Sequence, residues 1–251
     1  MEKKYILTDE TIKSLDGIVL HRIKAIRSFK WVNKGDLGGW IEKEDNLSHE
    51  GGCWVYGNAC VYGNATVCDN ATVYGNATVC ENAIIYGDAA VCENAIVHDN
   101  AKVFGNAIVY GNAIVHDNAS VFGHAKVYAN AYVYANAYVY GDAEVYGNAI
   151  IQSEKDYIVF KNWWSSGRYF TWTRSNNMWR VGCFYGTGKE LIKKAYKDSE
   201  ISGREYKRVV KYVESILKDE KNTNFFQKLL CILKKSCTFA KKLKKKIMFN
   251  K

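Results

Sequence analysis

The stretch Val103-Phe-Gly-Asn-Ala-Ile-Val109-Tyr-Gly-Asn-Ala-Ile-Val115 decides the fold, because it is two copies of one six-residue unit that continues on both sides from Cys53 to Gln152 without an inserted or deleted residue. Every sixth position from Val55 to Ile151 is Val or Ile, seventeen in succession, and the position four residues further on is Ala in all sixteen units, Ala59 to Ala149. Two positions per unit therefore face a narrow interior. Between them sit pairs such as Gly57-Asn58, Asp69-Asn70 and Gly111-Asn112, residue types that accept positive φ or bond their own backbone. Each unit reads as one short strand and one corner.

A period of six is too short for a helical hairpin and is the mark of a parallel β-helix built from stacked coils. Val and Ala fill only a slim prism, so three units make a coil of 18 residues, and sixteen units give a little over five coils. On these residues the chain resembles the hexapeptide-repeat, left-handed β-helix proteins best known from acyltransferases. That resemblance covers about 100 residues and implies a left-handed coil, against the usual right-handed crossover. The expected fold is mainly β: a single-stranded left-handed parallel β-helix over 53–152, an N-terminal β cap over 1–52, and a small C-terminal α+β domain over 153–220. A basic tail, amphipathic or disordered, follows over 221–251.

The formal charge of +9 belongs to that tail. Residues 222–251 hold nine lysines and no acid, leaving 26 basic against 26 acidic residues before them. Contact with nucleic acid or an acidic membrane surface is thus expected of the tail alone. Eight cysteines are scattered with no Cys-x-x-Cys pair. With no secretory segment ahead of them, they read as reduced thiols of a cytoplasmic protein. No stretch approaches the roughly 20 apolar residues of a membrane span.

The flanks differ from the repeat. Strands are expected at Lys4–Leu7 and Ile18–Ile26, before a Gly-rich turn at 34–41, as a cap over the exposed edge of the first coil. His21-Arg-Ile-Lys-Ala and Gly35-Asp-Leu-Gly-Gly-Trp, leading into Asn46-Leu-Ser-His, resemble a leader that recurs in phage and prophage proteins of unassigned activity. After the repeat, 156–185 reads as a three-stranded meander with turns at Ser165-Ser-Gly and Ser175-Asn-Asn. Capping boxes at Thr187-Gly-Lys-Glu190 and Ser202-Gly-Arg-Glu205 open two helices. Tyr206, Val209, Val210, Val213, Ile216 and Leu217 give the second an apolar face. Gly186-Thr-Gly-Lys189 lacks the spacing of a phosphate loop.

Stacking turns a separation of 18 into adjacency, roughly 4.8 Å apart. The outward positions after each Val then form three aromatic-rich columns, read as facing water: Tyr56 to Tyr146, Tyr62 to Tyr134 and Cys68 to Tyr140. Such columns stabilise sheets by stacking. The face carrying Ile96, Ile114 and Tyr132 beside His98, His116 and Tyr134 has almost no charge, which marks it as a homodimer or homotrimer interface. Cys80, His98 and His116 align, but ligands in a straight line on one sheet do not converge, so no metal is expected. His124 replaces the Asn or Asp of every other corner, and Asp142 lies one coil on, a pair that could serve as general base and its orienting acid. In the acyltransferases this chain resembles, a histidine base works with a long loop thrown out from a coil, and the sixteen uninterrupted units offer none. Trp163, Trp164, Arg168, Trp172, Arg174, Trp179 and Arg180 are dense in the meander and suit a protein or protein–nucleic-acid partner. Packing under the helices is the bland account of the tryptophans.

The expected function is non-enzymatic: a self-associating β-helix carrying a partner-binding C-terminal domain, without cofactor. The leader's resemblance implies a phage- or prophage-encoded protein, and inhibition of a host defence complex is the role expected of it on that origin. An acyltransferase using His124 is the alternative.

Overall fold

A computed structural model describes residues 2–223, so nearly all of the basic tail lies outside the described residues. Three strands, β1 (Tyr5–Lys13), β2 (Val19–Ala25) and β3 (Leu37–Ile41), precede seventeen two-residue strands running from β4 (Trp54–Val55) to β20 (Ile150–Ile151). Strands 18 residues apart pair in parallel, Val103 opposite Ile85 below and Val121 above, and the repeat winds as a three-faced β-solenoid. Every inward Val, Ile and Ala of the repeat is fully buried. The first face carries Ile108, Lys126 and Glu144 outward, the second Ile96, Ile114, Tyr132 and Ile150, and the third Ile84, Lys102, Ser120 and Tyr138.

The corners explain the monotony of the sequence. All sixteen corner residues from Gly57 to Gly147 have φ between +56° and +74°, conformations that glycine adopts freely. The next residue builds a ladder at two of the three corners: Asn58 donates to Asn76 at 3.3 Å and Asn64 to Asn82 at 3.2 Å, and both series continue up the solenoid. The third corner reads Asn70, Asp88, Asn106, His124, Asp142, and no such ladder forms there among the described residues.

The coil is longer at its base than the repeat count implies. β3 pairs in parallel with Cys60–Val61, and Leu47 bridges to Val67, so Ile41 and Leu47 are inward positions of an earlier turn. Two extra residues before Val55 disguise it. They are absorbed at Gly51 and Gly52; a Cβ on Gly51 would lie 2.1 Å from the Asp69 carbonyl oxygen, so only glycine fits. With this turn the solenoid has about six turns rather than five.

Each rung's N–H donates to a carbonyl one turn up, as Tyr56 N does to Val73 O at 2.8 Å. The bottom turn is therefore left with orphan carbonyls and the top turn with orphan N–H groups, and the two ends need opposite chemistry. The base is closed by donors. Lys4 Nζ donates to the carbonyls of Cys53 at 3.0 Å, Glu50 at 3.1 Å and Gly51 at 3.3 Å, and Tyr5 OH to those of Leu47 at 2.8 Å and Glu44 at 3.0 Å. The rings of Tyr5 and Phe29 pack edge-on against Trp54 to complete this plug.

The top is closed by acceptors from four antiparallel strands and the turns beside them, the strands being β21 (Tyr157–Lys161), β22 (Tyr169–Thr173), β23 (Met178–Val181) and β24 (Phe184–Gly186). Thr171 Oγ1 accepts from Glu144 N at 2.8 Å, Ser175 Oγ from Ile150 N at 2.7 Å, Tyr157 OH from Tyr140 N at 3.4 Å and Asp156 Oδ2 from Gln152 N at 2.9 Å. The meander thus gains a fourth strand over the sequence expectation and serves as the upper cap. Residues 1–187 form one compact unit, which corrects the boundary drawn at 153: the meander belongs with the solenoid.

A second unit starts at Gly188. It holds α1 (Gly188–Asp198) and a helix over 200–223. The second helix opens at Ser199, whose Oγ accepts from Ser202 N at 3.1 Å, so Ser202 is a buried residue within the helix and not its cap. Tyr206, Val210 and Val213 of the expected apolar face are buried. Among the described residues no helix is long and apolar enough to cross a membrane.

Candidate functional sites

Two places in the solenoid unit collect chemistry. The first is a groove of about 630 Å³ where the meander stands over the third corner and the first face. Its floor is two columns spaced by the coil, Asn106, His124 and Asp142 beside Ile108, Lys126 and Glu144, and its wall is Arg168, Tyr169 and Gly182. His124 and Asp142 therefore do share a site. Among the described residues no hydrogen bond joins their side chains, and the imidazole is exposed. Glu144 is the tied member: Tyr128 OH donates to its Oε2 at 3.2 Å, Arg180 Nε lies 3.3 Å from the same oxygen, and Lys126 Nζ stands 3.6 Å from Oε1. The Arg180 guanidinium lies over Tyr146 at 4.8 Å and Tyr128 at 5.5 Å. Burial, then the Glu144 charge, pushes the Tyr128 hydroxyl far above its usual range, so it stays a donor.

Of the seven meander residues expected to meet a partner, the structure leaves two on the surface. Trp163 is 74% exposed, and Arg168 stands free at the groove's rim. Trp172 and Trp179 are corrections: at 1% and 2% exposure both are core, and Trp172 Nε1 donates to Asn177 Oδ1 at 2.9 Å. Trp164 is half-buried, edge-on to Trp163 and Phe170. Arg174 donates to Lys155 O at 2.9 Å, and Arg180 is held by Glu144, so both arginines brace the cap.

The second place is the outer column of the second face. Its lower end does not face water: the tip of the β1–β2 hairpin covers it, Tyr62 OH donating to Asp16 Oδ2 at 2.9 Å, with Tyr62 and Cys80 buried against Leu20 and Trp40. Burial pushes the Cys80 thiol up to about 11, a poor metal ligand. Above the hairpin the column emerges as His98, His116 and Tyr134, stacked at 5.0 and 5.1 Å with nearly parallel rings. Beside it Ile96 and Ile114 are half-buried, while Tyr132 and Ile150 are 42% and 41% exposed. The other columns stack likewise, Tyr86 on Phe104 at 4.7 Å and Phe104 on Phe122 at 4.8 Å.

Sequence reasoning missed two acids here. Asp99 and Asp117 occupy positive-φ corners, at +56° and +57°, and their carboxylates turn back toward the column. Asp99 Oδ2 accepts from Asp117 N at 3.1 Å and lies 3.2 Å from His98 Nδ1 and 3.7 Å from His116 Nδ1; Asp117 Oδ1 is 3.4 Å from His116 Nδ1. The Asp117 N–H, first of several partners, holds the Asp99 carboxyl below its usual range. Cys80 lies apart from this cluster, under the hairpin, while one donor atom from each of His98, Asp99 and His116 lies within 4.8 Å of the others. The repeated dipeptide His98-Asp99 and His116-Asp117, 18 residues apart, was the available signal.

Fold and repeat together define a hexapeptide-repeat-type β-helix protein. The model of the YdcK β-solenoid repeat matches at residues 67–81 and 101–117. The chain is similar to a protein of Escherichia coli K12 named "Uncharacterized acetyltransferase YdcK", 42% identical over 52 residues, which cover 20% of this chain and 16% of that relative. The match thus spans less than a fifth of the relative's length.

Proposed function

We propose that the protein is a binding and assembly protein whose solenoid self-associates through its second face. The observation that carries this is the uncharged column of Ile96, Ile114, Tyr132 and Ile150, continuous with the strip of the same face that the β1–β2 hairpin buries lower down. Where its own chain reaches, that apolar surface is covered. A second copy covers the remainder, since two copies present the same patch to each other about a twofold axis. Trp163 and Arg168, both exposed on the upper cap, support recognition of a further partner, because tryptophan and arginine are the side chains that most often anchor an interface. The role of a phage- or prophage-encoded inhibitor acting on a host defence complex rests on the leader's resemblance. Light scattering of the purified full chain tests the assembly: a mass of at least twice 28.5 kDa at tens of micromolar is expected, and a strict monomer overturns it.

A second reading, acyl transfer, is favoured by the groove that gathers His124, Asp142, Lys126 and Arg168, and by the name of the relative. Calorimetry with acetyl-coenzyme A separates the two. Saturable binding with turnover slowed by His124→Ala establishes the enzyme; absence of binding leaves the assembly reading.

A further inference from the structure

The structure assigns a transition-metal site to the edge of the second face, with His98, Asp99 and His116 as its three protein ligands. The inference does not rest on the assembly reading. One donor atom from each of His98, Asp99 and His116 lies within 4.8 Å of the others. A zinc ion held at about 2.0–2.1 Å by nitrogen and oxygen needs its ligands roughly 3.3 Å apart. The Asp99–His98 separation of 3.2 Å already meets this, and the Asp99–His116 separation of 3.7 Å is close. The imidazoles approach by tilting about their side-chain bonds, which their partial exposure on an open edge allows.

The hydrogen bonding explains why a cation suits the place. Acids at these corners have a structural task, accepting the N–H of the next corner: Glu81 from Asp99 N at 2.8 Å, Asp99 from Asp117 N at 3.1 Å, Asp117 from Ala135 N at 2.9 Å. That task uses one oxygen per acid. Asp99 Oδ2, already occupied, is approached by two further ring nitrogens, three nitrogens in all around an oxygen with two lone pairs. Neutral imidazoles that present lone pairs to a shared divalent ion relieve the crowding. Asp117 accepts its N–H through Oδ2, and its Oδ1 lies 3.4 Å from His116 Nδ1, where it orients that ring from outside the three converging donors. Two imidazoles with one carboxylate favour zinc, nickel or copper over calcium or magnesium. Zinc is the ion proposed.

The test is calorimetric titration of zinc into full-length protein freed of metal by chelation. Tyrosine is the residue the column itself carries at Tyr62 and Tyr134, so His98→Tyr and His116→Tyr preserve the stack, and Asp99→Asn keeps an acceptor for the Asp117 N–H. One zinc per chain is expected, with affinity falling about tenfold or more in each variant and unchanged in His124→Ala. Cobalt substituted for zinc should give visible bands without the near-ultraviolet sulfur-to-cobalt transition, excluding the cysteines as ligands. No saturable binding, binding unchanged by all three variants, or a sulfur-to-cobalt band that persists in them overturns the proposal.

Discussion

Replacing Lys4 with Met removes an ammonium while keeping its stem, and the polarity of the solenoid's ladder dictates the consequence. Among the carbonyls it serves, that of Cys53 accepts the buried bond, and orphaning it costs about 1–3 kcal/mol; Glu50 and Gly51, partly buried, add about 0.5–1.5 kcal/mol each. Relief from burying a charge offsets part of this, so Lys4→Met should lose on the order of 2–4 kcal/mol, or roughly 5–15 °C in melting temperature for a chain of this size. A second readout comes from pH. Burial, ahead of the opposing pull of Cys53, lowers the Lys4 pKa from 10.5. Between the lowered value and 10.5 the unfolded chain holds more protons than the folded one, so the stability owed to Lys4 rises with pH and is least at lower pH. Melts followed by circular dichroism should show wild type pulling further ahead of the variant as pH rises through that window. A variant that melts with wild type at neutral pH, or a gap that narrows as pH rises, refutes the role of Lys4 as the donor that closes the base.

Two more expectations concern the cap and the corners. Trp172→Ala should destabilise the solenoid unit by about 3–5 kcal/mol in denaturant titration, as a core deletion, whereas Trp163→Ala should leave stability unchanged and weaken partner capture; equal stability of the two variants would contradict the assigned burial. Gly123→Ala places a Cβ 3.0 Å from Gly141 N at φ +72°, while Gly141→Ala at φ +67° meets nothing within 4 Å. Each should lose about 1–2 kcal/mol for the left-handed backbone, with the larger loss at Gly123, and both should fold, because Ala129 and Ala135 already occupy such corners.

The repeat was legible because a strict period of six converts sequence separation directly into position. The Val and Ala columns, the turn residues and the pairing of neighbours 18 apart all follow from it. Legibility failed wherever the chain leaves the period or folds back on it. Ile41 and Leu47 belong to the coil, but the two residues inserted at Gly51 and Gly52 break the count. Tyr62 and Cys80 look exposed by periodicity and are buried because the β1–β2 hairpin, whose Asp16 lies 46 residues before Tyr62, lies over them. Trp172 and Trp179 read as anchors by composition, yet a small cap has no other core to draw on. The metal-binding geometry hid in turn residues: Asp99 and Asp117 were counted as corner formers, and only the left-handed backbone shows that their carboxylates face the histidines.

The claim that the second face is the assembly surface is tested most directly by placing the same charge on two faces at equivalent register. Ile114→Lys and Ile84→Lys both alter a half-buried outward isoleucine that precedes an inward Val or Ile, the first on the second face and the second on the third. Sedimentation equilibrium at tens of micromolar should find wild type and Ile84→Lys associated and Ile114→Lys monomeric, with all three melting alike. Ile114→Lys that remains associated, or Ile84→Lys that dissociates in its place, would contradict the account.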